Sequence, residues 1–347
     1  MLKKKLILTA ALSLSIVVTL VGCVKPSTGE SSTANVNQPA SLVNNDDNRE
    51  LIPAIIGYWG GTCEAPIYVA YQNGFFEDAG LDVELIKITQ DVALLMVNNE
   101  LDSFMLTPSV FKSMQQGLEL IIIDTLHKGC IQGVASPESG ITSVAGFEGK
   151  RVGVDGFGGI GQIQASSQMV VLGADPSTVI WVSYPNPQLE LALERGEIDA
   201  FVAFDPWSEL AMQNGHIRVF SNTHDEGLAE YICCFLGMSS RRLAENPEMG
   251  RRLSEAFARA CEYIEENPYS VAEMIIAQGY TSGDEALTAK LLSDYTWIAG
   301  DHQLLKDSFF ELWRQISRAG ALGTDPDDLE AYIQGLYDKM VVFMGKA

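Results

Sequence analysis

Asn99-Glu100-Leu101-Asp102-Ser103-Phe104 and Gly196-Glu197-Ile198-Asp199-Ala200-Phe201 are one phrase in two copies. A glycine precedes each phrase at a matching distance, with Gly57 lying 45 positions before Asp102 and Gly153 46 positions before Asp199. A proline follows each, Pro108 at 6 positions after Asp102 and Pro206 at 7 after Asp199. Gly117 then leads into an apolar run at 118–123, and Gly215 into one at 217–220. A match of that length predicts one structural unit made twice, beginning at Ile52 and at Lys150.

Within each unit, short apolar runs alternate with helical patterns, which predicts βαβ units around parallel strands. In the second copy, residues 192–196 read as a helix running into a terminal glycine. The fold class expected is α/β, with two open doubly wound sheets facing each other across a cleft. The chain crosses between them twice, near 126–134 and near 229–237. Lobe 1 then comprises 51–130 plus 231–347, and lobe 2 comprises 131–230. The helices after residue 240 belong to the first lobe. Asn246-Pro247 and Asn267-Pro268 each read as an N-cap with proline at the first helical position. Leu253, Phe257 and Ile264 fall on one apolar helix face. Open α/β sheets bind ligands at the C-terminal ends of their strands, so a site between the lobes is expected.

The 347 residues carry a formal net charge of −22, which makes nucleic acid and anionic membrane surfaces poor partners. The N-terminus reads as a targeting segment. Lys3, Lys4 and Lys5 precede an uncharged apolar run at 6–20 that is short for a membrane span. Leu20-Val21-Gly22-Cys23 closes it and resembles the bacterial lipobox, which implies a signal peptide at 1–22 and a diacylglycerol on Cys23. Cleavage there removes three lysines and no acid, taking −22 to −25. Residues 24–50 are rich in Ser, Thr, Asn, Pro and Asp and lack aromatics, so 23–50 is expected to be a lipidated flexible tether.

Residues 66–70 (Pro-Ile-Tyr-Val-Ala), 73–76 (Asn-Gly-Phe-Phe) and 79–83 (Ala-Gly-Leu-Asp-Val) resemble the opening of the nitrate/sulfonate/taurine solute-binding family. Residues 99–102, 147–154 and 196–199 resemble its later motifs, so the likeness runs from Ile52 to the C-terminus. It implies a type II periplasmic-binding fold with two crossing strands. It also implies a binding protein rather than an enzyme, held at the extracytoplasmic face of the cell membrane by Cys23. Its partners would be a small-molecule ligand and the permease and ATPase subunits of an ABC importer. The family binds unlike compounds on one scaffold, so the ligand stays open. A sulfonate or taurine-like molecule, a thiamin-type pyrimidine, and nitrate or bicarbonate are the classes implied.

By the same resemblance, Trp59-Gly60-Gly61-Thr62-Cys63-Glu64 borders the cleft. Its glycines allow close backbone approach. Thr62 can alternatively cap the following helix, and Glu64 can complement the helix dipole. Gly156-Phe157-Gly158-Gly159-Ile160-Gly161 has the spacing of a dinucleotide fingerprint, but the next strand lacks the acid that grips a ribose. Gly158, Gly159, Ile160 and Gly161 are instead expected to offer N–H groups to a ligand at a helix N-terminus. Phe204-Asp205-Pro206-Trp207 and its counterpart Leu106-Thr107-Pro108-Ser109 sit past equivalent strands. They nominate Thr107, Pro108, Asp205 and Trp207, with core packing as the competing role for Trp207.

Five cysteines follow Cys23. Cys261 lies on an apolar helix face and reads as core. Cys63 is in the first loop, Cys130 at the first crossing, and Cys233 and Cys234 at the second, so side-by-side crossings would bring four thiols toward the cleft. Cys130 and Cys233 join the ligand candidates. A disulfide between crossings and simple burial are the alternatives. No spacing matches a zinc motif, so neither a metal nor a cofactor is expected, though a thiol-lined metal or cofactor receptor remains a rival reading. Cys233-Cys234-Phe235 resembles part of the Cys-Cys-Cys-Phe-Cys cluster of fungal hydroxymethylpyrimidine phosphate synthases, a second rival. Those enzymes imply a pyridoxal-phosphate lysine and a histidine where residues 104–111 here carry neither.

Overall fold

The computed structural model describes residues 50–89, 92–226, 228–320 and 326–344. The signal peptide expected at 1–22, the lipidation site Cys23 and all but the last residue of the tether lie outside the described residues. Eleven strands are described: β1 (Ile52–Tyr58), β2 (Leu81–Lys87), β3 (Ser103–Leu106), β4 (Leu120–Lys128), β5 (Ile131–Ala135), β6 (Arg151–Val154), β7 (Ile180–Ser183), β8 (Ala200–Phe204), β9 (Ile217–Ser221), β10 (Ile232–Ser239) and β11 (Thr296–Trp297). They form two sheets, ordered β11-β4-β10-β3-β1-β2 and β7-β6-β8-β5-β9.

Both sheets follow one plan. The second strand of each unit pairs with the first, and the first with the third, all in parallel. An antiparallel strand then separates the third strand from the fourth: β10 in the first sheet, β5 in the second. Each inserted strand arrives from the other half of the chain, because β4 runs through Gly129 and Cys130 into β5 and β9 leads on to β10. The sheets are therefore mixed, and the expected parallel pairing holds for three strands in each.

The repeated phrase has a mechanical role. Asp102, just before β3, accepts the backbone N–H of Ile55 in β1 at 3.0 Å, and its own N–H donates to the Ile55 carbonyl at 2.9 Å. Asp199, just before β8, does the same with Arg151 in β6, at 2.9 and 2.8 Å. Each aspartate clamps the first strand of its unit to the third. The residue before each aspartate fills the space over a glycine. A Cβ on Gly57 would come within 2.8 Å of Leu101, and one on Gly153 within 2.7 Å of Ile198.

The first sheet is buried on both faces, as near-continuous apolar strands require. In β4, Ile121 and Ile123 join one apolar cluster while Leu120 and Ile122 join the other. Helix Pro247–Glu266 covers the first side through Leu253, Phe257 and Ile264. Helix His302–Arg318 covers the second, with Trp313 stacked on Phe111 at 4.1 Å. Asn246 caps its helix by accepting the Met249 N–H. Asn267 departs from the expected cap, since its side-chain amide donates back to the Tyr263 carbonyl and so finishes the preceding helix. Cys261 is buried on the helix face where it was expected. Among the described residues no helix is long and apolar enough to cross a membrane.

Candidate functional site

A cavity of about 220 Å³ opens where the strand ends of the two sheets meet. Its lining comes from repeat-equivalent positions. Trp59 follows β1 and Asp155 follows β6, while Thr107 follows β3 and Phe204 ends β8. Gly61, Cys63 and Glu64 come from the first loop, and Gly159 and Ile160 from the start of helix Ile160–Val171. Cys130 and Cys234 enter from the two crossings. Met105, Ser109, Val110 and Ile131 complete the wall.

Of the residues nominated from sequence, Trp59, Gly61, Cys63, Glu64, Thr107, Cys130, Gly159 and Ile160 line this cavity. The others lie elsewhere. Gly60 and Trp207 face a separate hollow beside Lys87 and Tyr280. Thr62 is fully buried; its hydroxyl pairs with that of Thr281 at 3.3 Å and makes no helix cap. Pro108 and Gly158 border hollows against helix His302–Arg318. Gly161 packs on β8, where a Cβ would meet the Val202 carbonyl at 3.0 Å. Asp205 is 1% exposed and outside the lining, accepting hydrogen bonds from Gln132 Nε2 at 2.9 Å and the Tyr295 hydroxyl at 3.1 Å. Cys233 borders the next hollow, while its neighbour Cys234 lines the cavity.

The first loop, expected to allow close backbone approach, and the glycine turn, expected to offer N–H groups, both have backbone donors already engaged. Glu64 accepts the backbone N–H groups of Trp59, Gly60 and Gly61 at 2.7–3.0 Å and the Tyr68 hydroxyl at 3.1 Å. Burial pushes its pKa up to about 7, with those backbone donors pulling the other way. In the glycine turn the Gly158 N–H donates to Gln162 Oε1 at 2.7 Å and the Gly159 N–H to the Gly156 carbonyl at 3.1 Å, beside Asp155. A Cβ on Gly159 would stand 2.8 Å from its Oδ1, and burial raises its pKa against hydrogen bonds from its own turn. The lining contains these two carboxyl groups and, among the described residues, no arginine, lysine or histidine.

Beside the cavity the two crossings run antiparallel, with Cys234 opposite His127 and Ile232 opposite Lys128. Successive residues of a regular strand face opposite sides, but the β10 register shifts on both sides of Cys234. That irregularity lets two consecutive thiols approach Cys130, whose Sγ lies 3.4 Å from Cys233 Sγ. The ligand atoms of Cys63, His127 and Cys130 lie within 4.8 Å of one another, as do those of Cys130, Cys233 and Cys234. Hydrogen bonding from Cys130 holds the Cys63 and Cys233 thiols well below their ordinary values, whereas burial pushes Cys130 and Cys234 up. All are free cysteines. Spacing along the chain carried no metal motif, because these ligands come from three separate segments; folding assembles a set that the chain order hides.

A family model described as NMT1/THI5 like matches residues 62–270. The chain belongs to the NMT1/THI5-like family. Among curated proteins it is 26% identical over 227 residues to the 4-amino-5-hydroxymethyl-2-methylpyrimidine phosphate synthase of Aspergillus parasiticus, covering 60% of this chain and 65% of that one. It is 25% identical over 219 residues to the enzyme of the same name from Candida albicans (strain WO-1), covering 58% and 64%. The chain thus spans less than two-thirds of either relative. Its fold is the type II periplasmic-binding fold. The alkanesulfonate-binding protein of Xanthomonas axonopodis pv. citri, solved bound to MOPS, superposes with a TM-score of 0.66 at 14% identity, over 79% of this chain and 96% of that one. The periplasmic nitrate-binding protein of Synechocystis PCC 6803 gives 0.67 at 15%, over 84% and 89%.

Proposed function

We propose that this chain is an extracytoplasmic solute receptor, tethered through lipidated Cys23, that captures one small molecule in the cavity and delivers it to an ABC importer. Residues 51–130 plus 231–347 act as one lobe and 131–230 as the other, closing about the two crossings. The observation that carries this reading is the cavity's position, at the C-terminal strand ends of both repeat units. Its chemistry narrows the cargo. Glu64 and Asp155 line it, and the nearest N–H-rich turn of the first loop is taken by Glu64 itself. A bare oxyanion such as a sulfonate, nitrate or bicarbonate finds no cation among the described lining residues, so a neutral or cationic solute of the thiamin-pyrimidine kind suits the site better.

Calorimetric titration of the full chain with pyrimidines, sulfonates, nitrate and bicarbonate tests this. One saturable neutral or cationic ligand per chain is expected, with compaction in small-angle scattering. Val110→Trp, which places a large ring in the cavity, should weaken that binding about 100-fold or more while leaving the melting curve close to wild type. Tight binding of an oxyanion by the variant and wild type alike would refute the assignment. Cys23→Ala should lose lipid label and membrane association together.

The names of the curated relatives favour a second reading, a pyrimidine-phosphate synthase. The lining offers no lysine amine for an aldehyde cofactor among the described residues. Product formation from pyridoxal phosphate by the purified chain would decide for the enzyme.

A further inference from the structure

Resting on the receptor reading, the surroundings of the cavity indicate how far its cargo extends. At about 220 Å³ the cavity is small for a ligand site, since such sites usually enclose roughly 300–1,000 Å³. A second hollow, of about 750 Å³, lies directly outside it and shares Trp59, Asp155 and Phe204 with its wall. Both sheets border this outer hollow: Lys87 ends β2 of the first, and Asn186 starts the helix after β7 of the second. We propose that the two hollows form one site for a two-part solute, with a neutral or cationic ring in the inner cavity and a carboxylate arm that passes Trp59 to reach Lys87.

Lys87 supplies the charge. Among the described residues it is the one basic side chain that lines the outer hollow, and no ion pair or hydrogen bond engages it. The chain has 45 acids to 23 lysines and arginines, yet it leaves this amine unmatched. Its Nζ folds over the first loop, 3.6 Å from where a Cβ on Gly60 would stand. Asn186 is an independent sign. Its side chain hydrogen-bonds Asp155, but its Oδ1 is buried without a partner. A buried acceptor left empty costs free energy, so an N–H on the solute suits it. Trp59 is 38% exposed where the hollows meet, and Phe104 backs its ring edge-on at 5.7 Å. A flat group can stack on the open side. Tyr280, stacked on Tyr68 at 4.3 Å, holds another part of the wall in place.

One ammonium balances one carboxylate. A phosphate dianion would bring a second negative charge that no other cation among the described lining residues matches, with Asp155 on the shared wall. Closure about the two crossings would exclude water from the lysine–carboxylate pair and strengthen its charge-assisted bond. The ring end stays neutral or cationic because Glu64 and Asp155 line the inner cavity. Binding is non-covalent throughout.

The test titrates the full chain calorimetrically with a matched series. Each member is 4-aminopyrimidine bearing at carbon 5 a propylamino, 3-carboxypropylamino or 3-phosphonopropylamino arm, so that a linking N–H is on offer to Asn186. The carboxylate compound should bind about 10-fold more tightly than the propyl compound at low salt, and the advantage should shrink as salt is raised. The phosphonate should gain less than the carboxylate. Lys87→Met keeps the aliphatic stem and should abolish the advantage, whereas Lys87→Arg should retain it. Lys112→Met, beside a different hollow, should leave the ratio unchanged. Lys87 is exposed, so its variants should melt with the wild type. Equal affinity for the propyl and carboxylate compounds overturns the proposal, as does an advantage that survives Lys87→Met. A larger gain from the phosphonate overturns the carboxylate assignment. If the compounds bind alike at one per chain, only this inference falls. If none binds, the receptor reading falls with it.

Discussion

Asp102→Ala will destabilise the protein by about 3–5 kcal/mol, and the equivalent change at Asp199 by about 1–2 kcal/mol. The two aspartates make the same pair of bonds to the first strand of their units, so the difference lies in their surroundings. The Asp102 side chain is 6% exposed and takes Arg242 Nε at 2.6 Å. Removing it takes the shortest partner from a partly buried guanidinium, which keeps Glu245 at 3.5 Å and the Pro53 carbonyl at 3.2 Å, and leaves the Ile55 N–H without its acceptor. Asp199 is 29% exposed and its partner Arg151 41%, so water replaces much of what is lost there. Asp102→Asn keeps an acceptor for Ile55 and should fall between the two. Urea unfolding with an unchanged dependence on denaturant is the measurement. Equal losses at the two positions would mean that the clamps do not differ as their burial implies.

Those clamps explain why the fold was legible before any coordinates. Aspartate, the aliphatic residue before it and the glycine 45 or 46 positions ahead of the aspartate form one constellation: strand clamp, filler and the gap it fills. A repeat detected as letters thus corresponds to a contact set made twice. The same symmetry reaches the site further than sequence reasoning carried it. Asp155 stands where Trp59 stands, one unit later, yet only Trp59 was nominated as a ligand contact.

What was not legible has local causes. Cys233 was preferred over Cys234, although the bulged register of β10 turns Cys234 to the cavity and keeps Cys233 close to Cys130. Asp205 was nominated for the cleft because it follows a strand, but Gln132 and Tyr295 enclose it. Glu64 looked available to a ligand, whereas its carboxylate is consumed by the loop that carries it. No one-dimensional pattern marks His127 either. Its significance arises only when β10 lays Cys234 beside it and the first loop brings Cys63 within reach.

Stability should also fall as pH rises from 5 to 8, opposite to the behaviour of a protein governed by surface ion pairs. Asp205 is the main cause. Burial pushes its pKa from 3.8 up to about 8, the Gln132 amide opposes that, and Glu209 nearby adds to it. The folded state therefore keeps a proton that the unfolded chain releases above about pH 4. Unfolding liberates protons in this window, so the contribution is complete below the unfolded value and is lost as pH climbs through the folded one. At about 1.4 kcal/mol per unit, the loss amounts to several kcal/mol. Glu64, raised to about 7, acts in the same direction. Asp199, held below its ordinary value by Arg151, has delivered its share before pH 5 and adds no slope. Asn at 205 keeps an oxygen to accept the Gln132 amide, can donate its own amide to the Tyr295 oxygen in place of the bond it accepted, and carries no charge to bury. Asp205→Asn should therefore be the more stable protein at pH 8, by a few kcal/mol, with a shallower slope to which Glu64 adds and which the depressed Cys63 and Cys233 thiols oppose. Because Asp205 follows β8 of the second sheet and Tyr295 precedes the edge strand β11 of the first, the same carboxyl also ties the two sheets together. Denaturant melts at pH 5, 6, 7 and 8 decide the matter: a wild type that gains stability toward pH 8, or a variant with an identical slope, would mean that Asp205 is already ionised in the folded protein.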